Sequence, residues 1–268
     1  MANEITRKLN FIPRTLDDDM VRDGLEAVSL LDDQYLVGGI ATQSYLPTSC
    51  RRPTSDVDFS VVRPLNYGDF KSMIAIVREY LHDKGYTTET KKRSRAYSLD
   101  VSCLKGEGLC LEFARRNIQN FEKRRKHLER EFENANSKIV EGRESTYKVC
   151  RVEDIAIPKF VRSIGSLGRN PHFFNYISRE FGPLTDEEVK RQLEKISEIR
   201  EEATINLPNP ELAEKLRFVS DLYDIRMLSE LTGFNEKYFA EVGKEWDVFN
   251  EPSTAREKLV KAVLPKFL

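Results

Sequence analysis

The chain has little with which to build a metal ribbon, a redox pair or a membrane span. Its four cysteines, Cys50, Cys103, Cys110 and Cys150, include no C-x-x-C pair. That argues against zinc ribbons and thioredoxin-like motifs, and it fits a reducing cytosol. The three histidines, His82, His127 and His172, stand in no ligand spacing. No apolar run approaches the roughly 18–20 residues of a membrane-spanning helix. The opening residues MANEITRKLNFIPRTLDDD lack the apolar core of a secretory signal. There is no internal repeat and no low-complexity tract. The expectation is a cytoplasmic protein with no membrane partner.

What is present is the composition of an ordinary globular protein on the charged side, 40% hydrophobic and 32% charged over 268 residues. That length suits one large or two small domains. The net charge of −1 hides an uneven spread: residues 86–127 hold 11 Lys/Arg against 5 Asp/Glu, so the rest of the chain is acidic. A basic stretch inside a near-neutral protein points to a local surface for a polyanion, or to a solvated face.

Met20, Val21, Leu25, Val28 and Leu31 recur at helical spacing, which predicts a helix over 16–32. Tyr35-Leu36-Val37 reads as a short strand that Gly38-Gly39 ends, with one or two helical turns after it. A polar loop, Arg51-Arg52-Pro53-Thr54-Ser55, leads into an alternating strand over 56–62. Phe70, Ile74, Val77 and Leu81 mark one helix closed by Gly85. Extended segments follow near 86–92, 95–104 and 109–115, the last two joined by a turn at 105–108. From about 117 the pattern is mainly helical, broken by a hairpin near 137–151. Thr185-x-x-Glu188 resembles a capping box. Asn209-Pro210 opens a further helix that ends before Gly233, and shorter helices are expected near 235–245 and 253–264. The predicted fold is α/β (α+β), a mixed sheet with flanking helices over 1–150. A mainly helical half over 151–268 is expected to complete the active site.

Strand residues two apart share a face, so Asp56 and Asp58 project together while Val57 and Phe59 go to the other side. Two like charges about 4 Å apart repel by roughly 4 kcal/mol at an effective dielectric near 20. A divalent cation between them removes that repulsion, and Mg²⁺ (or Mn²⁺) suits oxygen ligands and substrate phosphates. Gly38-Gly39, between a strand and a helix, lets backbone approach a phosphate closely. A third carboxylate on a neighbouring strand would complete a two-metal arrangement. Glu112 is preferred because its strand alternates less and so reads as more buried; Asp100 is the competitor. Singly, a D-x-D is more often a surface pair and a Gly-Gly a plain turn. Together they fall in order within 21 residues.

At this point VGGIATQSYLPTSCRRPTSDVDFSV resembles the opening motif of the DNA-polymerase-β-like nucleotidyltransferases. More narrowly, it resembles the AbiEii/AbiGii-type toxin nucleotidyltransferases of type IV toxin–antitoxin systems. The family's Arg-x-Ser/Thr-x-Asp-x-Asp run is matched by Arg52-Pro53-Thr54-Ser55-Asp56-Val57-Asp58. Its lysine helix is resembled by Glu153-Asp154-Ile155-Ala156-Ile157-Pro158-Lys159, with Pro158 removing one helix hydrogen bond. A later helix is resembled by Ser220-Asp221-Leu222-Tyr223-Asp224-Ile225, where Ser220 stands in place of the family's arginine.

The resemblance implies transfer of a nucleotide from an NTP to an acceptor hydroxyl, with RNA (the tRNA acceptor stem) as acceptor and a cognate antitoxin as partner. It implies catalytic roles for Asp56, Asp58, Lys159 and Asp221. Gly38, Gly39, Arg52, Thr54 and Lys159 would bind the nucleotide, and Asp56, Asp58 and Glu112 the metal. The bland alternatives are a solvated Lys159 and a surface pair of Asp221 and Asp224.

The densest basic tract runs from Arg115 to His127. Arg124, Arg125 and Lys126 are its candidates for RNA phosphates, against a solvated helix laced with i,i+4 ion pairs. Lys91-Lys92-Arg93-Ser94-Arg95 widens the same surface. Cys103 and Cys110 could face each other across the hairpin. Two other functions compete with RNA modification: nucleotide transfer to a small molecule such as an antibiotic, and a nucleotide- or RNA-binding module without catalysis. The intact Asp56-x-Asp58 argues against the second.

Overall fold

The computed structural model describes residues 10–176, 183–205, 209–246, 256–257 and 259–260. The chain divides into two compact units. The first is Met1–Ser44 with Arg51–Arg151, and the second is Tyr45–Cys50 with Val152–Leu268.

The first unit is built on a mixed sheet. Its strands are β1 (Asn10–Phe11), β2 (Gln34–Val37), β3 (Asp56–Val61), β4 (Thr87–Lys92), β5 (Ala96–Ser102), β6 (Glu107–Ala114), β7 (Asn136–Ile139) and β8 (Thr146–Val149). The order across the sheet is β4-β5-β6-β3-β2-β8-β7, with β1 pairing β6 off this path. β3 runs parallel to β6 and antiparallel to β2. β5 pairs with β6 along its whole length, so β1 and β3 share the opposite edge of β6, β1 at Glu107–Gly108 and β3 beyond it.

Alternation along these strands separates two faces. Val57, Phe59, Leu99, Val101, Leu109, Leu111 and Phe113 are buried on one of them. There Phe59 stacks on Phe113 at 5.1 Å, and Phe70 and Tyr97 extend the ring cluster. Helices α1 (Asp19–Val28), α3 (Tyr67–Met73) and α4 (Ala75–Asp83) serve this apolar face. The other face carries Asp56, Asp58, Ser98, Asp100, Cys110 and Glu112. Helix α5 (Ile118–Glu133) meets that same polar face on its β2 side through Glu131. Buried Tyr35, which sits opposite Ser60, donates its hydroxyl to Glu131, and Arg116 reaches the Ser60 hydroxyl at 3.0 Å.

Two helices differ from their expected bounds. The helix expected over 16–32 is α1, shortened because Asp18 caps it by accepting from the Met20 amide and Ser29 ends it through the Glu26 carbonyl. The single helix expected through Phe70–Leu81 is α3 and α4, with fully buried Ile74 at the joint. Gly85 follows α4 at φ +86° as expected.

The second unit is helical: α6 (Val152–Arg169), α7 (Asp186–Ile205), α8 (Pro210–Met227) and α9 (Glu236–Glu245). α8 packs against both α6 and α7, and it is buried continuously from Phe218 to Met227. Its start is set by Asn209, whose side chain accepts from the Glu211 and Leu212 amides, and by Pro210 in the first turn. Thr185 accepts from the Glu188 amide at the head of α7. A π-helical turn, Leu228–Thr232, follows α8 and stops at Gly233, φ +75°. Tyr223 donates to the Cys50 carbonyl at 2.9 Å, which fixes the 45–50 segment to this unit. α6 runs unbroken through Pro158. The helix expected over 253–264 lies, four residues apart, outside the described residues.

Candidate metal centre

The site begins with register. Asp58 pairs directly with Glu112 across the parallel β3–β6 ladder, and Asp56 pairs with Cys110. Paired residues on adjacent strands project to the same side, so Asp56, Asp58 and Glu112 converge. A carboxylate oxygen from each lies within 4.8 Å of the others, and all three side chains are half-buried. Thr54 holds Asp56 by donating its hydroxyl to Oδ1 at 2.8 Å. Thr54 is itself fixed by a backbone bridge to Arg14.

Gly38 stands beside Asp58. It adopts φ +77°, a backbone region that a Cβ disfavours. A Cβ there would lie deep inside contact with Asp58 Oδ2 and 3.0 Å from its Cγ. Gly39 is tight against Thr54, whose nearest side-chain atoms lie 3.1–3.3 Å from where its Cβ would be. The two glycines therefore leave room for the Asp58 carboxylate and for the threonine that holds Asp56. The helix behind them, α2 (Gly38–Gln43), is only six residues long. Arg52 is buried, and its carbonyl accepts from Gln43 at 2.8 Å.

Both candidates for a third carboxylate lie on this face, in neighbouring rows, but their surroundings differ. Glu112 belongs to the cluster. Burial, with the charge of Asp56 next, pushes its carboxyl above the usual carboxylate range, and Arg93 opposes this. Asp100 is 1% exposed and already neutralised, with Lys91 Nζ 2.9 Å from Oδ2 and Arg93 Nη2 3.0 Å from Oδ1. Burial raises it, yet those two partners outweigh burial and hold it below the usual range. The expectation that Glu112 has the more buried strand is reversed: β5 is buried at every position but its last, and Glu112 itself is part-exposed. Cys110 sits between the two acids, and burial beside Asp100 pushes its thiol up. It pairs with Asp100 and not with Cys103, which lies in the turn, so those two cysteines do not face each other.

Three oxygen donors at this spacing fit a hard divalent cation. Crowded carboxylates with no cation between them repel; at Glu112 burial is the larger cause of the raised carboxyl, and the charge of Asp56 adds to it.

A second cluster lies within the helical unit. Lys159 on α6 is 4% exposed and places Nζ 2.7 Å from Asp224 Oδ2 and 3.6 Å from Asp221 Oδ1 on α8. Arg162 forks onto Asp221 at 2.7 and 2.8 Å. A solvated Lys159 and a surface pair of Asp221 and Asp224 are therefore not what the structure has, since both aspartates are buried too. The sequence reads Asp224 only as a surface partner of Asp221 and Arg93 only as part of a basic surface, and it gives Arg162 no role. The i,i+3 spacing of Asp221 and Asp224, and of Lys159 and Arg162, was the available signal for the first two.

Arg124, Arg125 and Lys126 are exposed on α5. Arg125 pairs along its own helix with Glu129 at 2.9 Å and Glu122 at 3.6 Å. Among the described residues no helix is long and apolar enough to cross a membrane.

No protein-family model and no curated protein matches the chain. Among solved structures it is similar to an antigenic nucleotidyltransferase-like protein from Paracoccidioides brasiliensis, at 14% identity over 72% of this chain and 94% of that one, with a TM-score of 0.40. It is also similar to terminal uridylyl transferase 4 from Trypanosoma brucei with bound GTP, at 17% identity and a TM-score of 0.25. That match covers 81% of this chain and 66%, just under two thirds, of the other. With bound dUTP the same enzyme gives 18% identity over 81% of this chain and 68% of that one, at a TM-score of 0.23. The structural neighbours are thus nucleotidyltransferase-like proteins.

Proposed function

We propose that this chain is a metal-dependent nucleotidyltransferase that moves a nucleotide from an NTP to an acceptor hydroxyl. The observation that carries this reading is the convergence of Asp56, Asp58 and Glu112 beside a glycine that leaves space for Asp58. These three carboxylates would hold Mg²⁺ or Mn²⁺. When bound, the ion supplies charge that stabilises the leaving pyrophosphate and the attacking oxygen. Thr54 fixes the rotamer of Asp56. The Gly38-Gly39 backbone, with no side chain at either position, is the surface that phosphates can approach, and Arg52 and Thr54 belong to the same nucleotide-binding run. Lys159 is assigned to the triphosphate and Asp221 to the orientation of the acceptor or of that lysine; the resemblance of their two helices to the family motifs supports both.

RNA of tRNA-like form is the acceptor that the exposed basic residues of α5 support. The motif run also supports the narrower reading, a type IV toxin with an antitoxin as partner in the cytoplasm. The test is incubation of the purified protein with each labelled NTP, Mg²⁺ and total RNA. Label from one NTP should enter RNA, and Asp56→Ala or Asp58→Ala should abolish this while circular dichroism stays unchanged. Full activity in either variant sinks the mechanism. Label found only in small molecules would replace RNA as the acceptor.

A further inference from the structure

The turn between β4 and β5 sets a cation against the metal centre. Lys91 pairs with Ser98 and Lys92 with Tyr97, so Arg93 is the first residue past the ladder. Its side chain folds back across the polar face of the sheet. Nε donates to Ser98 Oγ at 2.9 Å and Nη2 to Asp100 Oδ1 at 3.0 Å. Nη2 also lies 3.3 Å from Cys110 Sγ, and Nε lies 3.2 Å from Glu112 Oε1. One guanidinium therefore spans both acids of the neighbouring rows and touches one member of the triad.

Asp100 does not depend on this contact for its charge balance. Lys91 holds its other oxygen at 2.9 Å. The arginine side chain is 39% exposed on a turn, whereas Asp100 is fully enclosed. A planar guanidinium is also built to bind phosphate through paired N–H donors. With a divalent cation on Glu112, two positive groups would compete for one carboxylate, and the arginine is the one with solvent to move into.

On the reading above, we propose that Arg93 is an internal counter-ion of Glu112 that a divalent cation displaces, and that the freed guanidinium takes a phosphate of the nucleotide arriving with the metal. Arg93 is then a positioning residue in the metal-free protein and a phosphate ligand in the loaded one. The pairing keeps a crowded acidic site balanced until its substrate enters.

Direct binding tests this without turnover. Free Mn²⁺ is followed by electron paramagnetic resonance on the full chain without nucleotide, and binding of the Mn²⁺–tripolyphosphate complex by calorimetry. Arg93→Gln should bind Mn²⁺ about two- to fivefold tighter than wild type, the scale of a part-exposed ion pair. It should bind the tripolyphosphate complex about two- to fivefold more weakly. Lys91 keeps Asp100 paired, so the variant should fold, and an unchanged melting curve checks that. Unchanged or weaker Mn²⁺ binding by Arg93→Gln, or unchanged tripolyphosphate binding, overturns the inference. Asp58→Asn separates the two levels. Loss of Mn²⁺ there, with no change in Arg93→Gln, leaves the metal-site reading standing and removes the role of Arg93. Absence of Mn²⁺ binding by wild type removes both.

Discussion

Gly38 and Asp58 are neighbours that exclude any side chain between them: the last residue of β2, Val37, pairs with Asp58, and Gly38 turns away at φ +77° against the Asp58 carboxylate. The positive φ and the missing Cβ are two separate demands for glycine. Gly39, where an added Cβ would stand 3.1–3.3 Å from Thr54 side-chain atoms, meets the second demand only.

Gly38→Ala should therefore fail more severely than Gly39→Ala. The left-handed backbone alone costs a non-glycine residue about 1–2 kcal/mol, and the clash must additionally push Asp58 aside. Gly38→Ala is expected to lower the melting temperature and to abolish Mn²⁺ binding, whereas Gly39→Ala should keep measurable binding. Equal Mn²⁺ affinity in Gly38→Ala and wild type would remove Gly38 from the site.

The raised Glu112 carboxyl gives a pH dependence with a defined sign. Its native pKa lies above the unfolded one, near 4.3. Its contribution to stability is then fully present below about pH 4.3 and is lost as pH rises through the native value. In EDTA, Glu112→Gln should match wild type at pH 4 and melt higher at pH 7. Saturating Mg²⁺ should raise wild type and leave Glu112→Gln nearly unmoved. A stability difference that stays flat between pH 4 and 7 would show that neither burial nor the charge of Asp56 acts on Glu112 as described.

What could be read from the sequence was whatever depends on local pattern. Alternation along 56–62 put Asp56 and Asp58 on one face, and the mixed sheet with a helical second half followed from the order of periodicities. What could not be read depends on register or on packing between distant segments. Arg93 became part of the site only because the β4–β5 ladder ends at Lys92–Tyr97. The pairing of Lys159 with Asp224 joins residues 65 apart through the contact of α6 with α8. Ile74 continues the apolar period of α3 into α4, so periodicity could not mark the joint. The cysteine pairing failed because Cys103 falls in the turn and not on the ladder.

Burial of Lys159 changes how its variant must be interpreted. Removing one partner of a buried ion pair costs about 3–5 kcal/mol, because the other charge is left uncompensated. Lys159→Met should therefore destabilise the protein through Asp224, while Asp221 keeps Arg162. The double variant Lys159→Met with Asp224→Leu should recover much of that loss. If Lys159 also meets the triphosphate, the double variant will fold and still fail to turn over NTP. Recovery of both stability and turnover would return the lysine to a purely structural role. Urea unfolding of the single and double variants, alongside NTP kinetics, distinguishes these outcomes.

RNA binding should divide from NTP binding in space. The triad and glycine turn are given to the triphosphate end, so the phosphates of a long acceptor need other cations. Arg124, Arg125 and Lys126 are exposed on α5, and Arg125 already has Glu129 and Glu122 as partners, so its share should be smaller than that of Lys126. Neutralising all three should lower RNA affinity and leave NTP affinity unchanged. Each lost phosphate contact should also flatten the salt dependence by about 0.7 of a log–log unit on single-stranded nucleic acid. The control is Lys92→Gln with Arg95→Gln, two exposed residues at the β4–β5 turn. Binding of RNA is measured across about 50–200 mM salt, the range over which counterion release dominates. A lower slope in the α5 variant alone places the acceptor over that helix. A lower slope in the turn variant alone moves the acceptor to the other edge of the polar face. Identical affinities and slopes in all three proteins would remove both surfaces from RNA recognition.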